Sequence, residues 1–266
     1  MNELVFLKLG GSLITNKEIA HSARYDVITR IAGEVAQALR DNPGLRLLLG
    51  HGSGSFGHIP ARQYGTRDGV RSPEEWRGFT AVWREAKALN TIVTETLAEA
   101  GLPVIAFSPS SQALTASQRV IAWDTTQIQL ALESRLLPLV YGDVIFDMEI
   151  GGTILSTEEQ FEYLAGQLHP ARVLLAGIEP GIWKDYPARS EVFHTITPNN
   201  IKEIDKHLAA SDSPDVTGGM RSKVFSMLKL VQSGDCSEVR IFSGLEDRSI
   251  LDVISGKSTG TRICLD

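Results

Sequence analysis

Short apolar runs alternate with amphipathic helical segments along almost the whole chain, and this alternation constrains the fold more than any other feature. The pattern predicts strands at about 4–7, 45–49, 104–107, 119–123, 137–141, 144–146, 153–155, 172–176, 192–194, 238–242 and near 262. It predicts helices at about 26–39, 73–100, 124–134, 157–168, 199–209 and 220–232. Strands that alternate with helices of this length indicate an α/β fold with a mostly parallel sheet covered on both faces.

The length of 266 residues suits one large domain or two closely packed lobes. We expect the boundary near 166–170, which divides the chain into an N-terminal lobe, 1–168, and a C-terminal lobe, 169–266. The formal net charge of -6 argues against nucleic acid or a membrane surface as a partner, because both usually contact a broad basic face. Any phosphate recognition must therefore be local.

The sequence also indicates the cellular compartment. No apolar run has the length of a membrane-spanning helix, and the first residues lack the pattern of a secretory signal. Cys236 and Cys264 are far apart in sequence and have no C-x-x-C spacing, so we expect packed, reduced thiols. These features predict a cytoplasmic protein.

A glycine-dense loop, residues 51–58, directly follows the second predicted strand. Glycines let backbone N–H groups surround an anion, and the imidazole of His58 can add a hydrogen bond or a positive charge. The loop therefore predicts a phosphate site. Gly52, Gly54 and Gly57 also match the dinucleotide fingerprint G-x-G-x-x-G. That fingerprint requires a helix that begins inside the motif and an acidic residue about 20 positions on, at the end of the next strand. The sequence indicates no such helix, and the acidic residues at that distance, Glu74 and Glu75, begin an amphipathic helix and do not close a strand.

Two further glycine turns are accompanied by lysines. One follows the first strand, and the other precedes the helix predicted at 220–232. The residues concerned are Lys8, Gly10, Gly11, Ser12, Lys17, Gly219 and Lys223. Each lysine alone has an ordinary explanation as a solvated side chain, but ligands of open α/β sheets gather at the carboxyl ends of strands. The joint placement favours a cleft that holds two phosphorylated groups end to end. Walker A and protein kinase motifs are absent.

At these residues the chain resembles the amino acid kinase superfamily, and within it the branch that phosphorylates isopentenyl phosphate. The matching segments are 8–17, 51–58, 142–143 and 215–220, together with Lys223. The terminal histidine of the glycine loop is the most specific match, because relatives that act on carboxylates or carbamate lack it. Only the fosfomycin kinase branch is similar there. The resemblance implies a three-layer αβα sandwich with a mostly parallel central sheet, an acceptor site in the N-terminal lobe and an ATP site in the C-terminal lobe.

The resemblance also implies roles for individual residues. The residues that would act in catalysis are Lys8, Lys17, His58 and Lys223. The residues that would contact ATP are Lys8, Gly10, Gly11, Ser12, Gly54, Gly219 and Lys223. The residues that would contact the acceptor phosphate are Ser53, Gly54, His58, Thr157 and Glu158. Mg²⁺ would accompany ATP, no residue is expected to serve as a dedicated metal ligand, and a homodimer is implied.

The branched tail of isopentenyl phosphate is short and needs an apolar pocket. Phe79, Val82 and Trp83 on the long helix, with Ile145 in the predicted hairpin, are candidates to line it and to limit the length of the acceptor. Their helical spacing suits a role in the core equally well. The sequence alone leaves these alternatives open.

Three positions depart from the pattern of the superfamily. Ser53 replaces the second glycine of the histidine loop, and Glu158 stands where an aspartate is usual. The segment 177–181 lacks both aspartates of the usual nucleotide segment. Two alternatives to an isopentenyl phosphate kinase therefore stay open. One is a kinase of a phosphonate such as fosfomycin or of another small phosphorylated metabolite, and the other is a nucleotide-binding sensor without turnover.

Overall fold

The computed structural model describes residues 3–16, 18–208 and 219–266. The strands are β1 Glu3–Leu9, β2 Leu45–His51, β3 Val104–Phe107, β4 Ala113–Ala116, β5 Arg119–Trp123, β6 Leu137–Tyr141, β7 Asp143–Asp147, β8 Gly151–Leu155, β9 Arg172–Gly177, β10 Ile182–Trp183, β11 Val192–Phe193, β12 Thr195–Ile196, β13 Glu238–Ser243 and β14 Thr261–Ile263. The helices are α1 Gly11–Ile14, α2 Tyr25–Asp41, α3 Gly54–Tyr64, α4 Pro73–Glu99, α5 Pro109–Gln112, α6 Thr126–Glu133, α7 Thr157–Leu168, α8 Ile201–Leu208, α9 Met220–Gln232 and α10 Ser249–Ile254, and a 3₁₀ turn spans Thr66–Asp68. None of the described helices is both long and apolar enough to cross a bilayer.

An eight-stranded sheet forms the centre of the molecule, in the order β12-β14-β13-β9-β1-β2-β6-β3. The six strands from β13 to β3 are mutually parallel, while β14 pairs antiparallel with β13. A second sheet has the order β5-β4-β7-β8, and β10 pairs with β11. The predicted α/β class with a mostly parallel sheet is therefore confirmed.

Successive side chains of β1 supply two separate cores on opposite faces of the sheet. Phe6 belongs to one core with Phe161 of α7 and contacts it at a ring-centroid distance of 5.1 Å. Leu7 belongs to the other core with Ile31 of α2 and Leu89 of α4. All five side chains are buried, and each contributes roughly 1.5–3 kcal/mol to folding. The continuous apolar run of β1 is explained by helices on both faces.

The two halves of the chain share the central sheet. Strand β1 pairs with β2 on one side and with β9 on the other, so the first strand lies between the two proposed lobes. The expected boundary, 166–170, falls where α7 ends at Leu168 and His169 adopts a positive φ of 47°. The division into lobes at this position stays a prediction.

One expectation about the glycine loop is wrong. The sequence indicated no helix inside the dinucleotide-like motif, yet α3 begins at Gly54 and continues through Pro60. Burial of Phe56 and Ala61 stabilises the helix despite the glycines and the proline, which weaken its local signal. The other ground against a dinucleotide site stands, because the next strand, β3, is followed by Ser108 and not by an acidic residue.

Candidate active site

The glycine turns that follow β1 and β2 meet at the carboxyl ends of these neighbouring strands. Leu9 at the end of β1 pairs with His51 at the end of β2, so the turns that follow them leave the sheet side by side. A Cβ atom added to Gly11 would lie 2.6 Å from the amide nitrogen of Gly54. No real Cβ atom approaches another atom so closely, so a side chain at Gly11 would force the turns apart. The structure thus brings together two of the three predicted glycine turns.

Position 54 also requires a glycine. Its φ is +50°, a backbone conformation that residues with a Cβ rarely adopt. A Cβ there would also clash with the side chain of Thr15, which follows the first turn. Glycine at this position therefore permits both the start of α3 and the close approach of the two turns.

An acidic side chain lies between two of the predicted lysines. Glu158, in the first turn of α7, forms an ion pair with Lys8, and its same carboxylate oxygen lies 3.1 Å from the ammonium nitrogen of Lys223 on α9. Ser156 accepts a hydrogen bond from the backbone N–H of Glu159 in a capping box, which fixes the helix start. Three distant parts of the chain therefore meet at one carboxylate.

The electrostatics of this cluster are set by the lysines. Burial raises the pKa of Glu158, but the nearby ammonium groups of Lys8 and Lys223 outweigh burial and hold the pKa well below its usual range. The carboxylate is therefore ionised at neutral pH, and the three groups carry a net charge of about +1. Lys8 is 7% exposed, which contradicts the ordinary explanation of a solvated lysine.

The remaining predicted phosphate ligands lie on or beside these elements. His58 is partly buried on α3, and Ser53 is the N-terminal cap of that helix. Gly219 is the N-terminal cap of α9, and Lys223 follows it by four residues, at the end of the first turn of the helix. Thr157 is buried, and its hydroxyl donates a hydrogen bond of 2.6 Å to the carbonyl of His51, which links α7 to the end of β2. Lys17 and the motif residues 215–218 lie outside the described residues.

The four apolar candidates do not share one surface. Phe79 and Val82 are buried in the same cluster, beside Val144 of β7. Ile145 does not join them, because adjacent residues of a strand point to opposite faces, and it packs in the larger core instead. Trp83 is 36% exposed, with the ammonium of Lys87 5.1 Å from its ring centroid. Of the four, the structure brings together only Phe79 and Val82.

Sequence reasoning assigned no role to a buried polar network next to this site. Asp143, the first residue of β7, accepts hydrogen bonds from the hydroxyls of Ser110 at 2.9 Å and Ser108 at 3.2 Å, and from the backbone N–H of Val144 at 2.8 Å. Burial raises the pKa of Asp143 to about 6, against the effect of these donors. The motif Gly142-Asp143 carried a signal for this residue, but the serines are more than 30 positions away in the chain.

Comparison with known proteins agrees with this geometry. The sequence pattern described as the amino acid kinase family matches residues 3–243 of the chain. The chain belongs to the amino acid kinase family. The isopentenyl phosphate kinase of Methanocaldococcus jannaschii is 31% identical over 266 residues, which covers 98% of each protein. That of Haloferax volcanii is 32% identical over 227 residues, covering 85% of this chain and 88% of the relative.

Solved structures extend the comparison to the fold. An isopentenyl phosphate kinase structure matches with a TM-score of 0.82 and 27% identity, covering 98% of this chain and 99% of the other. A carbamate kinase from Giardia matches with a TM-score of 0.71 and 15% identity, covering 100% and 99%, which supports the fold alone. The resemblance inferred from the motifs and the αβα fold of this amino acid kinase family member are therefore confirmed.

The segment 177–181, which lacks the usual aspartates, lies in this family member at the end of β9. Its one acidic residue, Glu179, accepts a hydrogen bond of 2.8 Å from the indole N–H of Trp183 and forms an ion pair of 3.5 Å with Arg189. These contacts engage Glu179 in its own local loop. The carbonyl of Gly177, at the end of β9, accepts a hydrogen bond of 2.8 Å from the N–H of Gly244, which follows the neighbouring strand β13.

Proposed function

We propose that this chain transfers the γ-phosphoryl group of ATP to isopentenyl phosphate, giving isopentenyl diphosphate and ADP. The observation that carries the proposal is the contact between two glycine turns beside the cluster of Lys8, Glu158 and Lys223. Curated isopentenyl phosphate kinases from several organisms align with most of the chain. Both kinds of observation support a phosphate group as the acceptor.

On the donor side, the first glycine turn and the lysines fit a triphosphate. The amides of Gly11 and Ser12 begin a helix and have no acceptor within it, so they are available to phosphate oxygens. Lys8 and Lys223 bring two ammonium groups to one carboxylate. Because negative charge gathers on the transferred group, cations held in place by Glu158 lower the barrier without moving during the reaction.

On the acceptor side, the second glycine turn and His58 fit a monophosphate. A phosphate oxygen is already anionic near neutral pH, so the nucleophile needs no strong general base. His58 would bind and orient the acceptor, and Lys17 would stabilise the transferred group. Phe79 and Val82 would contact the apolar tail. The chemistry needed is therefore orientation and neutralisation of charge.

Mg²⁺ belongs to the proposal as a companion of ATP. Among the described residues, no group of three His, Cys, Asp or Glu side chains is placed to hold a metal ion. Glu158, which lies at the phosphate cleft, is engaged by two lysines. This donor set fits a Mg²⁺ ion that is held mainly by the phosphates and water, as is common for nucleotide enzymes. When bound, the ion would neutralise charge on the triphosphate.

The proposal extends to organisation and location. The acceptor site would belong to the lobe 1–168 and the ATP site to the lobe 169–266, with the active site between them. We also propose a homodimer in the cytoplasm. Sedimentation analysis of the purified protein would test the dimer, and a single monomeric species would exclude it.

The function can be tested by measuring ADP release with MgATP and a panel of acceptors. Isopentenyl phosphate should give turnover, whereas fosfomycin and the no-acceptor reaction should not. Replacing Lys223 by Ala should lower kcat/KM at least about 100-fold, because it removes a cation from the transition state. Lys229 is exposed on the same helix, and Lys229→Ala is the matched control, which should keep the wild-type kcat/KM. The proposed function would be refuted if fosfomycin were the only acceptor that is phosphorylated, or if none of the acceptors were phosphorylated.

A further inference from the structure

Thr15 lies where the two glycine turns meet. Its hydroxyl donates a hydrogen bond of 2.7 Å to the carbonyl of Gly11 and accepts one of 3.0 Å from the backbone N–H of Ser55. The residue is 1% exposed, so water does not compete for these hydrogen bonds. A single hydroxyl therefore joins the turn after β1 to the start of α3.

The methyl group of Thr15 completes the link. A Cβ added to Gly54 would lie 2.7 Å from the Cγ2 atom of Thr15, so the methyl group packs directly against the Gly54 backbone. The backbone N–H of Thr15 also donates to the Gly11 carbonyl at 2.9 Å. Thr15 therefore makes two hydrogen bonds to the turn after β1. It makes one hydrogen bond and a methyl contact to the turn after β2. These contacts restrict movement of the two turns relative to each other.

We propose that Thr15 is a positioning residue that sets the distance between the donor and acceptor phosphates. The inference rests on the proposed function, in which one turn binds ATP and the other binds isopentenyl phosphate. Thr15 contacts neither phosphate and acts through the backbones of Gly11 and Ser55. In-line transfer needs reacting atoms about 3–3.5 Å apart, and an error of about 1 Å costs roughly 100-fold in rate. The spacing of the turns therefore controls kcat more than affinity.

Steady-state kinetics of Thr15→Val and Thr15→Ser test this role. Val keeps the shape of the side chain and removes both hydroxyl bonds, so kcat should fall at least about tenfold while both KM values change less than about threefold. Ser keeps the hydroxyl and should recover most of the wild-type kcat. Equal kcat for Thr15→Val and the wild type would overturn the proposal.

A linked ligand reads the spacing without turnover. The probe joins adenosine and the isopentenyl group through a chain of four phosphates, and calorimetry compares it with ADP and with isopentenyl phosphate. The wild type should bind the probe at least about 100-fold more tightly than ADP, because linkage makes the second binding event intramolecular. Thr15→Val should lose at least about tenfold for the probe and keep its affinity for the two single ligands. Equal loss for all three ligands would show a merely structural role.

Thr115→Val is the matched control. Thr115 is also fully buried, and its hydroxyl donates to the carbonyl of Phe146 at 3.1 Å in the second sheet, which carries none of the proposed phosphate ligands. It should lose stability as Thr15→Val does and keep the wild-type kcat. A wild type that is inactive with isopentenyl phosphate would refute the proposed function, whereas an active wild type with an unaffected Thr15→Val would refute only the role of Thr15.

Discussion

The ammonium nitrogen of Lys223 lies 3.1 Å from the carboxylate of Glu158, on the same oxygen that pairs with Lys8. Glu158→Gln should lower kcat at least about tenfold, because two ammonium groups lose the charge that holds them together. It should also lower the free energy of unfolding by about 3 kcal/mol, since the lysines are left without a counter-charge. Steady-state kinetics and urea denaturation measure the two effects.

Glu162→Gln on the next turn of α7 is the control for that variant. Burial raises the pKa of Glu162, so an uncharged amide in its place should cost little stability. Its kcat should equal that of the wild type. A Glu158→Gln protein with wild-type kcat would mean that the lysines do not depend on this carboxylate.

Gly54→Ala should disrupt the acceptor turn. A residue with a Cβ is strained at φ +50°, and its Cβ would clash with Thr15, so the free energy of unfolding should fall by at least about 2 kcal/mol. Gly33→Ala is the matched control on the exposed face of α2, where no atom lies within 4 Å of an added Cβ. It should raise stability by about 0.5–1 kcal/mol. Thermal unfolding of both variants checks the contrast, and equal behaviour would contradict it.

Asp143 should make the protein less stable as the pH rises through the weakly acidic range. Burial raises the pKa of Asp143 to about 6 from its ordinary value of 3.8, so the folded state binds the proton more tightly than the unfolded state. The stability of the wild type relative to Asp143→Asn should therefore fall between about pH 4 and pH 6, by on the order of 2–3 kcal/mol, and stay constant above that range. Urea denaturation at several pH values measures this difference.

Asp147→Asn is the contrasting variant. Burial raises the pKa of Asp147, but backbone N–H donors from Gln118, Glu149 and Ile150 outweigh burial and lower it to about 2. The Asp147 carboxylate stabilises the fold above its unfolded pKa, and this stabilisation is lost as the pH falls towards 2. The difference in the free energy of unfolding between Asp147→Asn and the wild type should therefore be constant from pH 5 to pH 7. If the stability difference between Asp143→Asn and the wild type were also constant over this pH range, the raised pKa of Asp143 would be contradicted.

Phe79 should limit the length of the acceptor tail. Its ring contacts those of Trp76 at 5.1 Å and Phe146 at 5.3 Å between centroids, in a cluster beside the second sheet. Phe79→Ala should shift the ratio of kcat/KM between a ten-carbon prenyl phosphate and isopentenyl phosphate by at least about tenfold towards the longer tail. Trp83→Ala, whose ring is more exposed, should shift it less. If Phe79→Ala and Val82→Ala both leave the ratio unchanged, the tail binds elsewhere.

Local patterns predicted the elements well where the signal is local. The bounds of α7 and α9 agree with the predicted helices, because helical periodicity, and in α7 also a capping box, is encoded within a few turns. Short elements were missed, among them β4, α5 and α10, since a segment of four to six residues contains too few turns of periodicity. Helix α3 was missed because its residues have low helical propensity and are stabilised by tertiary burial.

The sequence by itself determined the fold class, the glycine turns at strand ends and the membership of a kinase family, because each depends on residue types at short, fixed spacings. The tertiary structure alone decided that β1 lies between β2 and β9, that Glu158 lies between Lys8 and Lys223, and that Thr15 joins the two turns. These relationships connect residues up to 215 positions apart along the chain. Spacing along the chain carries no information on such distances, which are set by the order in which strands pair and by how helices pack on the sheet.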